Sequence, residues 1–377
     1  MRILTCHTMA LASTALLLAC TVPAGAQEIR TLPIGAAAPD FDLPGVDGKM
    51  HRLADYDDAT VLVIVFTCNH CPTAQAYEER IKQLAADYRD KGVVLVAISP
   101  NDPNAVRLDE LGYSDLSDTL DEMKIRAQDK SFNFPYLYDG ATQTVSKAYG
   151  PVATPHVFVF DQARKLRYAG RVDNNERNPE QVTSRDARNA IEALLAGRPV
   201  PVETTRVFGC SIKWASKSGS VAQAFAAWAK ELVSVEPIDL EGVRKLVKND
   251  SGKLRLINFW ATHCGPCVVE FPELVTINRM YRGRDFEMVS INLDAAKQKD
   301  KVLALLKDQQ ASFKNYQYGF DAGIYALMEA VDESWPGPIP YTLLVKPGGE
   351  ILYRHLGQID PLEVKKTIVE YVGRTYR

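Results

Sequence analysis

The fold prediction starts from Asn258-Phe259-Trp260-Ala261-Thr262-His263-Cys264-Gly265-Pro266-Cys267, a stretch that sets two cysteines two residues apart. The apolar run before it, 254–259, predicts a buried strand, and the apolar residues at helical spacing in 268–277 predict a helix after it. Two thiols at a helix start can close a disulfide within one turn, and the positive helix end favours the thiolate of Cys264. Cys264 is therefore the expected nucleophile, and Cys267 the thiol that releases the partner from a mixed disulfide.

This stretch resembles the active site of thioredoxin-fold thiol–disulfide oxidoreductases, in particular the extracytoplasmic branch that serves cytochrome maturation. Glu270 and Pro272 follow the second cysteine as they do in that branch, whereas His263 stands where the family usually has an aromatic residue. The resemblance implies that Glu270 lies near the cysteines and accepts a proton from Cys267; the alternative is an ordinary exposed helix glutamate. It also implies that Pro340 is a cis proline facing the cysteine pair.

The first half of the chain carries a second pair, in Cys68-Asn69-His70-Cys71-Pro72, after the β-branched run 61–66. With Phe134–Asp139, Thr154-Pro155 and the later segment Gly209–Trp214, this motif resembles a peroxiredoxin-like redoxin subgroup related to alkyl hydroperoxide reductases and thioredoxins. The resemblance covers about residues 33–214 and makes Pro155 the counterpart of the proline in the second half.

The peroxidase motif of that superfamily is missing. True peroxidases carry a threonine three residues before the reactive cysteine, but Cys68 stands three before Cys71, and Val65 three before Cys68. Dithiol exchange is therefore favoured for this domain too, with a thiol peroxidase or a static disulfide as alternatives.

Each half repeats one order: a strand, a C-x-x-C pair, a helix, an X-Pro before a β-branched strand, a hairpin and a last helix. We therefore expect an α/β protein with two tandem thioredoxin-like folds, each a central mixed β-sheet flanked by helices. The expected divisions are a signal peptide at 1–26, a first domain at 27–200, a linker with the Cys210 tail at 201–235, and a second domain at 236–377.

The first residues predict export. The apolar segment Leu11–Ala19 is too short to span a bilayer and reads as part of a signal peptide. Ala24-Gly25-Ala26 fits a peptidase site that leaves Gln27 first, whereas Leu17-Leu18-Ala19-Cys20 resembles a lipobox that would make Cys20 a lipid anchor. Either leader predicts a periplasmic or otherwise extracytoplasmic protein, where disulfides persist.

The net charge and the number of cysteines limit the classes of partner that we expect. The net charge is −3 and no basic run stands out, so nucleic acid is excluded as a partner. We expect protein thiols and disulfides as substrates, an upstream membrane thiol reductant, and neither a cofactor nor a bound metal. Cys210 is unpaired by counting; it either resolves a disulfide of the first pair or is a buried thiol.

The two residues between the cysteines influence the reduction potential of each pair. Gly265-Pro266 is the dipeptide of strongly reducing thioredoxins, whereas His70 lies where oxidising members of the fold have a histidine. An imidazolium stabilises the thiolate and raises the reduction potential. We expect the first cysteine of each pair to be the ionised one. Electrons would then pass from the second domain to the first, or each domain would serve its own partner.

A metal-binding protein is the rival class, because thiolates and imidazoles are soft ligands for copper and zinc. The ligands would come from both pairs and their neighbouring histidines: Cys68, His70, Cys71, His263, Cys264 and Cys267.

Overall fold

A computed structural model describes residues 29–376. The predicted leader, with both of its cleavage alternatives and Cys20, lies outside the described residues. Two mixed sheets flanked by helices confirm the α/β class and the tandem thioredoxin-like architecture.

The first sheet has the strand order β5-β4-β3-β6-β7, and a short antiparallel hairpin of β1 and β2 precedes it. The strands are β1 (Asp42–Pro44), β2 (Met50–Arg52), β3 (Val61–Phe66), β4 (Val93–Ser99), β5 (Tyr136–Tyr138), β6 (His156–Phe160) and β7 (Leu166–Gly170). The helices are α1 (Pro72–Tyr88), α2 (Leu120–Asp129), α3 (Thr144–Tyr149) and α4 (Asp186–Leu195). All six residues of β3 are buried, because helices cover both faces of this central strand.

The second sheet has the order β13-β12-β9-β10-β11-β8. Its strands are β8 (Glu236–Ile238), β9 (Leu254–Trp260), β10 (Phe286–Asn292), β11 (Lys314–Tyr318), β12 (Tyr341–Val345) and β13 (Ile351–Leu356). The helices are α5 (Ser218–Trp228), α6 (Leu240–Lys248), α7 (Gly265–Tyr281), α8 (Lys299–Asp308), α9 (Gly323–Val331) and α10 (Pro361–Val372). As in the first sheet, the strand before the cysteine pair, β9, is central and buried.

Strand register brings each cysteine pair next to a proline. In the first sheet β6 runs antiparallel to β3 and pairs His156 with Phe66; in the second, β12 pairs Tyr341 with Phe259 of β9. The residues just before β6 and β12 therefore lie beside the strand ends that lead into the cysteines. Both peptide bonds there, Thr154-Pro155 and Ile339-Pro340, are cis.

The two domains share an apolar contact. Residues 101–118 of the first domain, an irregular acidic loop that we call the insertion, pack against α7 and α10 of the second. Val106 and Leu111 of the insertion lie in one apolar cluster with Ile277 and Met280 of α7. The Tyr281 hydroxyl donates to the Ser114 carbonyl at 2.7 Å. The insertion thus fixes one domain on the other.

Residues 203–213, which we call the tail, are bound to the first domain. The Ala169 amide of β7 donates to the Glu203 carbonyl at 2.9 Å, and the Lys213 amide donates to Asn101 Oδ1 at 2.9 Å. This part of the predicted linker is therefore held at one end by β7 and at the other by the insertion, both in the first domain. The division of the whole chain at 200 and 235 remains a prediction.

Within residues 29–376, no helix combines the length and the apolar character that a membrane crossing requires.

Candidate active sites

The second pair lies where α7 begins. Cys264 is the N-cap residue, and the Cys267 amide donates to its sulfur at 3.3 Å. The two sulfurs form a disulfide. Cys267 is fully buried and Cys264 is partly exposed, so Cys264 is the sulfur of this pair that a partner can reach.

The predicted cis proline faces this sulfur. The carbonyl oxygen of Ile339, the residue before Pro340, lies 3.7 Å from Cys264 Sγ. Backbone groups of the proline loop are thus next to the sulfur at which an exchange would start.

Glu270 lies inside the domain, one helical turn after Cys267, and is only 1% exposed. Burial raises its pKa to about 7, although its carboxylate accepts hydrogen bonds from the Ile359 amide at 3.1 Å and from Asn258 Nδ2 at 2.8 Å. It is therefore not an exposed helix glutamate. Sequence reasoning assigned no role to Asn258, although an amide side chain inside an apolar strand was a visible signal.

His263 is largely exposed beside the second pair. Its Nδ1 lies 3.1 Å from Oδ1 of the buried Asp294. Burial alone would raise the pKa of Asp294, but hydrogen bonds from the Thr262 amide, Asn292 and His263 hold it below its ordinary value. The imidazole is thus held at a buried carboxylate on the rim of the site.

The first pair is enclosed. Cys71 is the N-cap residue of α1 and is fully buried, and Cys68 is 3% exposed; both are free thiols. Cys68 Sγ lies 3.3 Å from Thr154 Oγ1, and Cys71 Sγ lies 3.3 Å from the Thr154 carbonyl oxygen. Asp118 of the insertion binds the amide of Asn69 between the two cysteines, and Cys210 of the tail packs against both, so the insertion and the tail help to enclose the pair.

A buried carboxylate of the insertion, Asp118, organises the residues between these cysteines. Its Oδ1 accepts from the amides of Asn69 at 2.8 Å and His70 at 3.2 Å. Its Oδ2 accepts from Asn101 Nδ2 at 2.7 Å and lies 2.6 Å from His70 Nδ1. Burial alone would lower the pKa of His70, but the charge and hydrogen bond of Asp118 outweigh it and raise the pKa. Sequence reasoning did not find Asp118, since nothing local links it to position 70.

The pKa values of the two cysteines of the first pair shift in opposite directions. Burial alone would raise the pKa of Cys71, but hydrogen bonds with Cys210 and Cys68 and the charge of His70 hold it well below its ordinary value. Burial, the hydrogen bond with Cys71 and the charge of Asp118 raise the pKa of Cys68. The directions of these two pKa shifts are the opposite of the order expected from the sequence, in which the first cysteine of each pair is the ionised one.

The structure brings Cys210 to this pair as a third thiol. Cys210 is partly exposed and packs against Cys68 and Cys71. The Thr154 amide donates to the Cys210 carbonyl at 3.0 Å, so the tail pairs with the residue before the cis proline.

The structure brings together only some of the residues that the metal-binding interpretation requires. Across residues 29–376, the side chains whose ligand atoms could share one ion are Cys68, His70 and Asp118, within 4.8 Å of one another. His70 Nε2 is buried without a hydrogen-bond partner, which would suit a ligand. However, each oxygen of Asp118 already receives two donors, and Cys264 and Cys267 are tied in their disulfide. The predicted six-residue ligand set does not assemble.

Comparison with known proteins places both domains. The family model described as AhpC/TSA family matches residues 34–169, and the model described as Redoxin matches residues 220–370. Thiol-disulfide oxidoreductase ResA of Oceanobacillus iheyensis is 33% identical over 100 residues, 26% of this chain and 47% of that protein. ResA of Halalkalibacterium halodurans is 28% identical over 119 residues, 32% of this chain and 62% of that protein. The chain thus spans less than two thirds of the length of either relative.

A solved structure is also similar. The crystal structure of an uncharacterized conserved protein from Geobacillus kaustophilus is 41% identical, with 48% of this chain and 92% of that chain covered and a TM-score of 0.44. The two matches lie in tandem, so the chain is a tandem thioredoxin-like protein whose first domain is similar to the AhpC/TSA family and whose second domain is similar to the Redoxin family.

Proposed function

We propose that this protein is an exported thiol–disulfide oxidoreductase that exchanges disulfides with protein partners through two C-x-x-C sites. The observation that carries the proposal is the second pair: a disulfide at a helix start, with Cys264 partly exposed and the Ile339 carbonyl 3.7 Å away. The thiol-disulfide oxidoreductases among its relatives support the same reaction.

The reaction starts from the reduced pair. The Cys264 thiolate attacks a partner's disulfide, forms a mixed disulfide and releases the partner's first sulfur as a thiolate. Cys267 gives its proton to the Glu270 carboxylate and attacks Cys264 Sγ, which releases the partner's second sulfur. The partner gains two electrons and the pair becomes the observed disulfide. A thiol reductant then restores the pair by the same steps reversed, with backbone groups beside Pro340 holding the bound chain.

The proposed cellular location follows from the predicted leader sequence. A chain cleaved after residue 26, or lipidated at Cys20, would act in the periplasm or another extracytoplasmic compartment. Its substrates there are protein thiols and disulfides, and its electrons come from an upstream membrane thiol reductant. The two domains act in series, from the second to the first, or each serves its own partner. Reduction potentials measured for each pair test the series: a first pair more reducing than the second would contradict it.

The test uses the full chain and an unrelated disulfide protein, insulin, as the oxidant. Wild-type protein with a thiol reductant should reduce insulin, and Cys264→Ser should lose most of that activity. Cys267→Ala should keep the partner attached to Cys264 as a mixed disulfide. An unchanged rate in Cys264→Ser, with no trapped adduct in Cys267→Ala, would overturn the proposal for this domain.

A thiol peroxidase is the second candidate, because the first domain matches the AhpC/TSA family. Its requirement is a thiolate that peroxide can reach, and Cys71 meets only the ionisation part. Turnover of hydrogen peroxide that is lost in Cys71→Ser and kept in Cys264→Ser would favour this candidate over exchange.

A copper- or zinc-binding chaperone is distinguished by metal content. Protein purified under reduction should carry far less than one equivalent of metal if exchange is the function. Near-stoichiometric metal without reductase activity would favour the chaperone.

A further inference from the structure

Among the three cysteines that meet in the first domain, the most exposed residue belongs to the tail. Cys68 is 3% exposed and Cys71 is fully buried, whereas Cys210 is partly exposed. Cys71 makes sulfur contacts on both sides, with Cys68 and with Cys210. The thiols therefore form a row in which Cys71 is central and Cys210 is outermost.

Thr154, the residue just before Pro155, contacts both Cys210 and Cys71 of this row. The Thr154 amide binds the Cys210 carbonyl at 3.0 Å, and the Thr154 carbonyl lies 3.3 Å from Cys71 Sγ. The tail thus runs along the residue before Pro155 as an added strand would, with its cysteine at the sulfur of the pair. In the second domain the matching carbonyl, that of Ile339, lies beside the partly exposed Cys264.

The tail is built for this close approach. Gly209 has φ +151°, and a Cβ there would lie 1.9 Å from the Thr154 carbonyl oxygen, so only glycine fits. On the other side of Cys210, the Lys213 carbonyl accepts from the Asp102 amide at 3.0 Å and from Gln143 Nε2 at 2.9 Å. Cys210 is held in place from both directions.

We infer that Cys210 is a catalytic thiol that carries electrons between the buried first pair and external protein partners. The inference rests on the proposed exchange function and adds its route through the first domain. It also separates the roles of the two pairs: the second domain presents a cysteine of its C-x-x-C pair, and the first presents a cysteine of its own tail.

The steps balance as thiol–disulfide exchange. In the reduced domain, the hydrogen bond with Cys71, burial and the charge of Cys71 raise the pKa of Cys210. In the oxidised domain Cys71 carries no charge, and the Cys210 thiolate attacks Cys71 Sγ of a Cys68–Cys71 disulfide; Cys68 leaves and is protonated. A partner's thiolate then attacks Cys210 Sγ, and Cys71 leaves. A second thiol of the partner attacks the mixed disulfide and frees Cys210. The partner is oxidised to a disulfide, and the domain gains two electrons and two protons. The low pKa of Cys71 suits its role as leaving group.

The test uses full-length protein carrying Cys264→Ser and Cys267→Ser, so that only the first domain exchanges, with oxidised and reduced glutathione as the probe. Acid quenching, alkylation and peptide mass spectrometry then locate each disulfide. We expect the glutathione adduct on Cys210, and a Cys71–Cys210 disulfide that accumulates when Cys68→Ser is added. Adding Cys210→Ser instead should slow exchange of the first pair about tenfold or more.

Two other results are informative. If the Cys68–Cys71 disulfide forms and is reduced at the wild-type rate in Cys210→Ser, with the adduct on Cys68, the inference is overturned and the exchange function stands. If no disulfide forms among Cys68, Cys71 and Cys210 at any glutathione ratio, exchange by this domain is itself wrong. Circular dichroism of each variant shows whether the fold is retained, and the Cys68→Ser variant gives a readout that does not depend on replacing Cys210.

Discussion

At the scale of single residues, the buried carboxylate of Glu270 has the pKa that proton transfer near neutral pH needs. Burial raises that pKa from 4.5 to about 7, so the carboxylate becomes able to accept the Cys267 proton as the pH passes 7. We expect Glu270→Gln to remove the inflection near pH 7 from the rate at which Cys267 resolves a mixed disulfide. Stopped exchange reactions, read by mass spectrometry of the Cys264–Cys267 peptides, measure that rate.

Stability gives a second readout for the same residue. Because the folded-state pKa is the higher one, folding favours the protonated form, and the free energy of unfolding falls as the pH rises from about 4 to 7. Glu270→Gln should flatten that fall. Glu273→Gln, on the same helix with a half-exposed side chain, is the matched control. Equal pH profiles for the two variants would contradict a role for Glu270.

The second residue-scale prediction concerns Asp118. Its charge raises the pKa of His70, and the His70 charge in turn lowers the pKa of Cys71. Asp118→Asn should leave His70 neutral near pH 7, and the pKa of Cys71 should rise by about one unit. The ultraviolet absorbance of the thiolate follows this titration without requiring access to the sulfur.

The control for Asp118→Asn is Asp121→Asn, because Asp121 is an exposed carboxylate of α2 that pairs with Lys124 in the same helical turn. It should leave the thiolate titration unchanged. A Cys71 pKa that is the same in Asp118→Asn as in wild type would show that His70 is not its source of positive charge.

At the scale of elements, the tail depends on a single glycine. Gly209→Ala should cost about 1–3 kcal/mol of unfolding free energy, because the new Cβ meets the Thr154 carbonyl in a conformation nearly reserved for glycine. Gly219→Ala, which meets open space in α5, should be neutral or slightly stabilising. Denaturant titration compares the two. Similar costs for both would mean that the tail does not lie against Thr154.

The elements also show what sequence can and cannot predict. The places of the C-x-x-C pairs and of the X-Pro bonds in the fold were predictable. Local apolar patterns in the sequence indicate the buried strands and the helices that flank these motifs. Once these elements are known, the antiparallel pairing of β3 with β6 is enough to bring Pro155 close to the cysteines. The bridge between Thr154 and Cys210 was not predictable: it joins residues far apart in sequence, and the tail has no periodic pattern of its own.

At the scale of the whole molecule, the second domain reaches back over the thiols of the first. After α10, Arg374 forms two hydrogen bonds to the buried Asp115 of the insertion, at 2.6 and 3.0 Å. Tyr376 packs edge-on against Tyr113 at 5.0 Å between ring centres, and its hydroxyl hydrogen-bonds with Cys210. The carboxyl-terminal residues of the second domain thus cover the thiol that we assign to partner contact. Local sequence could not predict this cover, because it depends on how the insertion docks on α7.

This cover makes the reactivity of Cys210 depend on the other domain. Tyr376→Ala should expose the sulfur and raise the alkylation rate of Cys210 several-fold, since the side chain that overlies it is removed while the Arg374–Asp115 pair stays. Tyr371→Ala, on the outer surface of α10, should leave that rate unchanged. Timed labelling with iodoacetamide, resolved by peptide mass spectrometry, measures it. An unchanged rate in Tyr376→Ala would mean that Cys210 is already open in solution. A partner could then reach the first domain whatever the position of the second.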